Sequence, residues 1–505
     1  MKQNIKVLAA TIILVIAVIF ACNKKLNVID QNNPTTESYF KTAAELQNGV
    51  NAIYSTLRSG NLVGREWFFV HDMRGSETAA GGAQLEAPRA ELLTQPSPSP
   101  SNAVMTSVWN GCYQMINRAN LVISKAPDIT DDVALRDVSV GEAEFLRAWA
   151  YFELASQWGD VPLYTETVSS ATGYKAKSPV ADIYALIISD LTDAASKLPA
   201  VAAQQGRVTQ GAAYALLGRV QMQVGDYTAA KAALLQDYGK YTLVPFLNNF
   251  DGDVKLGSQD LAVGHEFNSE SVFEVAFVDK GDDNFNWGYT GEGATADASI
   301  MRSQEYGIVW GNVVPSDKLL NEFEPNDPRY KYSIYESGDK ILTFEGTQSG
   351  VALTEDGMNV AASTRNGVTK KRVFRKYSIL DWSDDGFHPD GFNQRLIRYS
   401  DVLLMLAECE AEVGTPGDAA KYINEVRSRP GVNMPPVTLG SKEEAIAAVM
   451  HERAVELAGE EVNNIDILRW RKKGYYPSIR PDPKPGQVDV MPIPASETSA
   501  NPLIK

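Results

Sequence analysis

Residues 141–164, GEAEFLRAWAYFELASQWGDVPLY, leave little freedom over what this chain can become. Phe145, Leu146, Ala148, Trp149, Ala150, Tyr151, Phe152, Leu154, Ala155 and Trp158 give the segment no continuous polar face. A helix apolar on most sides belongs in the core of a large protein. Gly159 is expected to end it, and Pro162 forces the chain to leave in an extended conformation. At 505 residues the chain can surround such a helix, as one large domain or two.

The N-terminus is of a different kind. Lys2 and Lys6 precede an almost wholly apolar run, Val7 to Ala21, of 15 residues. A bilayer-spanning helix needs about 20. The run therefore reads as an export signal over residues 1–21. Ile19, Phe20, Ala21 and Cys22 resemble the lipobox of bacterial lipoproteins, and the resemblance implies cleavage before Cys22 and acylation of its thiol. Each buried CH₂ adds roughly 0.8 kcal/mol to membrane partitioning, so two or three acyl chains hold a protein with no spanning helix. Loss of the signal removes two lysines from 47 basic residues and none of the 63 acidic ones. So acidic a chain is no nucleic-acid binder, which needs clustered Lys and Arg. Cys112 and Cys409 lie in helical patterns and read as buried free thiols, since a chain of this length needs no disulfide.

Helical spacing recurs along the chain. Phe40, Leu46, Val50, Ile53, Tyr54 and Leu57 mark a helix within 37–57. Trp109, Tyr113, Ile116 and Asn120 mark one beginning near Ala103, with Asn120 expected to bond a neighbouring loop. Ile183, Leu186, Ile187 and Leu191 mark another within 182–198. Between 61 and 102, Gly81-Gly82 and QPSPSPSN predict a mostly irregular stretch. In 211–236, Leu217-Gly218, Gly225-Asp226-Tyr227, Ala230 and Ala233 resemble a tetratricopeptide repeat, whose small residues let two antiparallel helices approach. One repeat cannot bury its own face. The pairs 103–126 with 142–158, and 398–413 with 417–428, are its expected companions. From Phe246 to Arg395 the pattern turns to short alternations, such as 271–278 and 370–377, set among Gly-rich loops. The closing segment, 491–505, reads as extended. The expected fold is mainly α: tetratricopeptide-like helical pairs, a loop-rich section and a few short strands. Its divisions are the signal, residues 22–245, and residues 246–505, with 246–395 loop-rich and 396–472 helical.

Several blocks carry a family likeness. Glu142, Ala143, Phe145, Leu146, Arg147 and Ala148, followed by Tyr151, Phe152, Leu154 and then GDVPL at 159–163, form the strongest. Arg398, Tyr399, Val402, Leu403, Leu404, Met405, Ala407 and Glu408 form the second. Asn424, Val426 and Arg427 form a third. Glu452, Arg453, Glu456, Leu457 and Ala458, continuing to Asp466, Leu468, Arg469 and Trp470, form a fourth, and Pro492-Ile493-Pro494 closes the set. Together these resemble the SusD/RagB family of Bacteroidetes surface lipoproteins. The charged members, Glu142, Arg147, Arg398, Glu408, Glu452 and Arg469, read as buried ion pairs that fix helices.

No catalytic constellation is present in the pattern. His71, His265, His388 and His451 are scattered, with no HExxH, no Cys–His metal spacing, no GxSxG and no phosphate-cradling loop. Acidic pairs such as Asp282-Asp283 sit in Gly-rich loops, where a calcium ion at 279–284 is the one metal reading left. No cofactor is expected. Trp109, Trp149, Trp158 and Trp470 fall in helical blocks and read as core. Trp67, Trp287, Trp310 and Trp382 fall in loop-like stretches beside polar residues. An aromatic face flanked by amides or a guanidinium is a general recipe for a binding site. The resemblance implies such an aromatic arc from loops of both halves, matching residues 61–70 and 284–312. The expected ligand contacts are Arg65, Trp67, Asn286, Trp287, Tyr289 and Trp310. It further implies an outer-membrane protein that binds a nutrient glycan and delivers it to a SusC-like, TonB-dependent transporter. Peptide binding on the same fold is the alternative. A glycan-processing enzyme and a lid without a ligand are more distant ones.

Overall fold

The computed structural model describes residues 39–504, apart from 83–84, 169–172, 251–254, 257–258, 261–264, 278–299, 308–309, 342–350 and 378–390. The lipobox cysteine, the acidic loop at 279–284 and Trp382 lie outside these residues.

Helices come first and in pairs. Helix α1 is Ala43–Leu57, α2 Glu66–Arg74, α3 Ala87–Thr94, α4 Ala103–Lys125 and α5 Val133–Trp158; α6 is Val180–Lys197, α7 Gln210–Val224 and α8 Tyr227–Leu234. Each of α4 to α8 packs on the next, and α1 lies against both α4 and α5. The starts are chemically marked. Thr42 and Glu45 form a capping box on α1, and the Asn102 and Asp132 side chains accept from the first free N–H groups of α4 and α5. Helix α5 begins earlier than its apolar stretch, because its polar first turns are held by the Asp132 cap rather than by burial. Gly159 ends it at φ +68°, and the next strand, Val161–Pro162, pairs with Lys177–Ser178.

Every residue of α5 from Ser139 to Ala155 is buried, including its charged ones. Each of these finds a partner on another element. Arg147 makes a fork of two bonds to Asp190 of α6 (2.8 and 2.7 Å) and a third to Asn120 of α4 (2.7 Å). Asn120 in turn donates to the Tyr164 and Glu166 carbonyls (3.0 and 3.1 Å), the loop bond expected of it. Glu142 accepts from Gln47 of α1 and from Arg207, and Glu153 bonds His71 of α2. A buried ion costs several kcal/mol unless it is paired, so these contacts are conditions of the fold.

The α7–α8 pair shows why small residues are needed. Gly225 turns the chain at φ +89°, and Asp226 caps α8. A Cβ on Gly218 would sit 2.5 Å from Leu234 Cγ, a buried atom with no room to retreat. Gly218→Val is expected to destabilise by about 2–3 kcal/mol through overpacking, despite the better helix propensity of Val. Thermal melts against wild type measure it.

The second half alternates short strands and helices. Ser271–Val275 pairs antiparallel with Gln394–Arg398, and the largest sheet among the described residues has three strands. Helices then return: α9 is Tyr399–Val413, α10 Pro416–Arg427, α11 Lys442–Glu456 and α12 Asn463–Lys472. Helix α9 packs on α8, α10 and α11, which extends the helical array. The family-block charges meet here. Arg398 bonds Glu270 (2.8 Å), Glu456 (2.7 Å) and Glu460 (2.7 Å), and Arg329 bonds Glu452 (2.5 Å), Glu456 (2.9 Å) and Asp327 (2.7 Å). Arg469 forks onto Glu408. Cys112 and Cys409 are free and buried, and burial pushes both thiols up.

Two expectations are corrected. Residues 61–102 are not mostly irregular, for they hold α2, α3 and a strand, Thr78–Ala80. The closing segment is not extended throughout, since Ala495–Ala500 is a helical turn. Helix α2 escaped notice because water touches none of its sides. All nine residues are buried, so no 3.6-residue stripe marks it.

Candidate functional site

The two stretches expected to form the site, 61–70 and 284–312, do meet where the second is described. Met301 N–H donates to the Gly64 carbonyl (3.2 Å), and Arg65 Nε donates to Glu305 (2.8 Å). Phe68 packs edge-on against Tyr306 with ring centroids 5.4 Å apart. Thr78–Ala80 pairs antiparallel with Val313–Pro315. Just beyond it, Gly81 donates to the Asn312 carbonyl (2.8 Å). A Cβ on Gly81 would lie 1.6 Å from the Gly311 carbonyl oxygen, so only glycine fits there.

Within this seam the expected contacts have different fates. Arg65 is 1% exposed and Trp67 5% exposed. Arg65 serves Glu305, whose other oxygen accepts from Asn312 (2.7 Å). The Trp67 ring packs on His71 and Trp149. Both face inward, Trp67 because α2 is enclosed by the core and Arg65 because it stands at the N-cap of that helix and reaches Glu305. Trp310 is half-buried at the turn before Val313–Pro315, against the core edge, with its backbone N–H donating to the Gln304 carbonyl. Asn286, Trp287 and Tyr289 lie outside the described residues.

Sequence reasoning missed the seam's own ionic lattice. Arg302 sits 4.1 Å from the Tyr306 ring centroid and bonds the Gly459 carbonyl (2.5 Å), Asp72 and Glu461. Arg89 of α3 bonds Glu66 (2.6 Å) and lies over Phe69 at 4.4 Å. The signal available was the charge–aromatic mixture of EWFFVHDMR and RSQEY, which is as compatible with an exposed loop as with a buried lattice. Among the described residues no group of His, Cys, Asp and Glu could hold a metal ion, and no helix is long and apolar enough to cross a membrane.

The fold and seam define a helical-repeat protein whose two halves are stitched together by strand pairing and buried ion pairs. The family described as "SusD family" matches residues 269–505, and "Starch-binding associating with outer membrane" matches residues 29–222. A SusD-like protein of Formosa agariphila is 26% identical over 454 residues, spanning 86% of this chain and 85% of that protein. A solved laminarin-binding SusD-like protein superimposes with a TM-score of 0.71 at 24% identity, covering 92% of this chain and 99% of that one. Surface glycan-binding protein A from Bacteroides thetaiotaomicron, solved with laminarihexaose, gives 0.69 at 21% identity, covering 91% and 98%. The chain belongs to the SusD/RagB family.

Proposed function

We propose that the protein is a non-catalytic, lipid-anchored surface receptor of the outer membrane. It binds a nutrient oligosaccharide on the face above the seam and passes it to a SusC-like, TonB-dependent transporter. The observation that carries this is the seam itself. Loops from both halves converge where α2 locks onto residues 301–315, and Trp310 stands half-buried at its edge. Below it the buried pairs Arg65–Glu305 and Arg302–Asp72 hold that ground rigid, which is what an aromatic platform needs to avoid an ordering cost on binding. The laminarin-binding and laminarihexaose-bound relatives favour a glycan over a peptide. Lipidation at Cys22 and contacts from Asn286, Trp287 and Tyr289 belong to the same proposal.

The test is a glycan array probed with the chain from Asn23 onward, with a peptide pool alongside. Saturable binding to one glycan class is expected, weakened about tenfold by Trp310→Ala, the scale of one lost aromatic platform. Peptide binding that fades with salt would overturn the glycan assignment. Co-purification with a TonB-dependent barrel from the native outer membrane tests the delivery role, and a Cys22→Ala protein should leave the membrane fraction.

A further inference from the structure

A second concavity, built from other elements, lies on α4. Its volume is about 400 Å³, near the lower end of the range for small-molecule sites. Trp109, Tyr113 and Ile116 share one helical face and form its floor. The Trp109 and Tyr113 rings are 5.0 Å apart, and Tyr164 meets Tyr113 edge-on at 5.9 Å. These rings are already fixed. The Tyr113 hydroxyl donates to the Pro162 carbonyl (2.8 Å), and the Tyr164 hydroxyl accepts from Lys175 N–H (3.1 Å). Tyr174, 38% exposed, supplies an open aromatic side at the mouth.

The polar groups around these rings are two amides and a carboxylate. Asn110 and Asn117 stand one turn-pair apart on α4, and Glu497 comes from the closing helical turn. Asn117 uses its oxygen to accept from Val168 N–H (3.2 Å), which leaves its N–H groups without a partner among the described residues. The Asn110 amide has none there either, and among the described residues the Glu497 carboxylate accepts only from the Asn501 side chain, at the weak distance of 3.3 Å. Among the described residues the lining contains no cation. The nearby Lys175 ammonium lies 5.6 Å from the Tyr164 ring centroid, spent on its face. Fixed aromatic faces match the apolar C–H face of a pyranose ring, while amide donors and a carboxylate acceptor match its hydroxyls. A carboxylate with no cation disfavours phosphate, sulfate or uronate groups.

We infer that this pocket is a second binding site, taking one or two neutral sugar units at the end of an oligosaccharide. It shares no residue with the Trp310 seam, and the inference stands whether or not that seam binds a glycan. The test is calorimetry and saturation-transfer NMR of the chain from Asn23 onward with neutral di- and trisaccharides, all repeated in the Trp310→Ala background. Binding should persist in that background, weaken about tenfold in Tyr174→Ala and Asn110→Ala, and return in Tyr174→Phe. Tyr174 and Asn110 are exposed, so thermal melts should show these variants folded. Uronate or sulfated disaccharides should bind no tighter than neutral ones. Loss of all binding in Trp310→Ala with Tyr174→Ala neutral would overturn the inference, as would silence toward every neutral sugar. So would preference for an aromatic peptide, which would make the pocket a docking point for a partner's side chain.

Discussion

Glu456→Gln is expected to destabilise the protein by about 3–5 kcal/mol, the cost of removing one partner from a buried ionic group. Glu456 is fully buried, and its carboxylate accepts from Arg398 (2.7 Å), Arg329 (2.9 Å) and Arg429. Burial alone would raise its pKa, but Arg429, Arg398 and Arg329 outweigh burial and hold the carboxyl well below its ordinary 4.5. An amide keeps the shape and loses the charge, so three guanidiniums are left short of a counterion in a dry interior. The sign with pH follows from the depressed value. The stabilisation is fully present above about pH 4.5 and drains away as acid protonates the wild-type carboxyl. Urea titrations of wild type and variant should therefore differ most near neutrality and converge toward strong acid. A constant gap at every pH would mean that packing rather than charge is responsible.

Asp237→Asn is expected to do the reverse and stabilise. Asp237 follows α8, has no exposed surface, and neither carboxylate oxygen has a hydrogen-bond partner among the described residues. Burial pushes its pKa from 3.8 up to about 8, and Lys240 offsets only part of that. The folded state then keeps a proton that the unfolded state has released between about pH 4 and pH 8. Stability falls across that window as pH rises, by at most roughly 1.4 kcal/mol per unit. Asparagine has the same shape and cannot ionise. The variant should match wild type near pH 4 and exceed it by about 2 kcal/mol or more at pH 8, read as the difference in urea midpoints. Parallel curves at the two pH values would show that Asp237 is solvated in the folded protein.

How much of this the sequence displays depends on whether burial leaves a pattern. The α7–α8 pair is legible because Gly218, Ala230 and Ala233 are small where helices touch and Gly225 makes the turn between them, and the structure brings Leu234 against Gly218. The family-block charges were legible as fold markers, and Arg147, Arg398 and Arg469 are all paired in the interior. Arg65 and Trp67 were not. A tryptophan beside an arginine reads as a polar aromatic patch until one knows that Glu305, 240 residues away, takes the guanidinium inside. The α4 pocket was hidden for a related reason. Trp109 and Tyr113 mark a helical stripe and Trp109 reads as core, which it is at 1% exposure. That one edge of the stripe faces a cavity depends on Tyr164, Tyr174 and Glu497, which only the folded chain assembles.

The charged side chains along α5 bear on a problem that repeat architectures share. Helical hairpins built from similar apolar faces resemble one another, and an array of them has many ways to stack that are nearly as greasy as the right one. A hairpin displaced by one turn would still cover hydrocarbon, but it would strand Arg147 away from Asp190 and Asn120, and Glu142 away from Gln47 and Arg207. Because an isolated ion in that interior is penalised far more than a loose methyl group, mis-stacked arrays are rejected even where they are well packed. These ions work as keys cut to a single lock. Their contribution lies in which arrangement survives, and replacing the pair together, Arg147→Met with Asp190→Leu, should leave a compact helical protein whose hairpins no longer settle into one order, read as broadened and multiplied amide NMR signals.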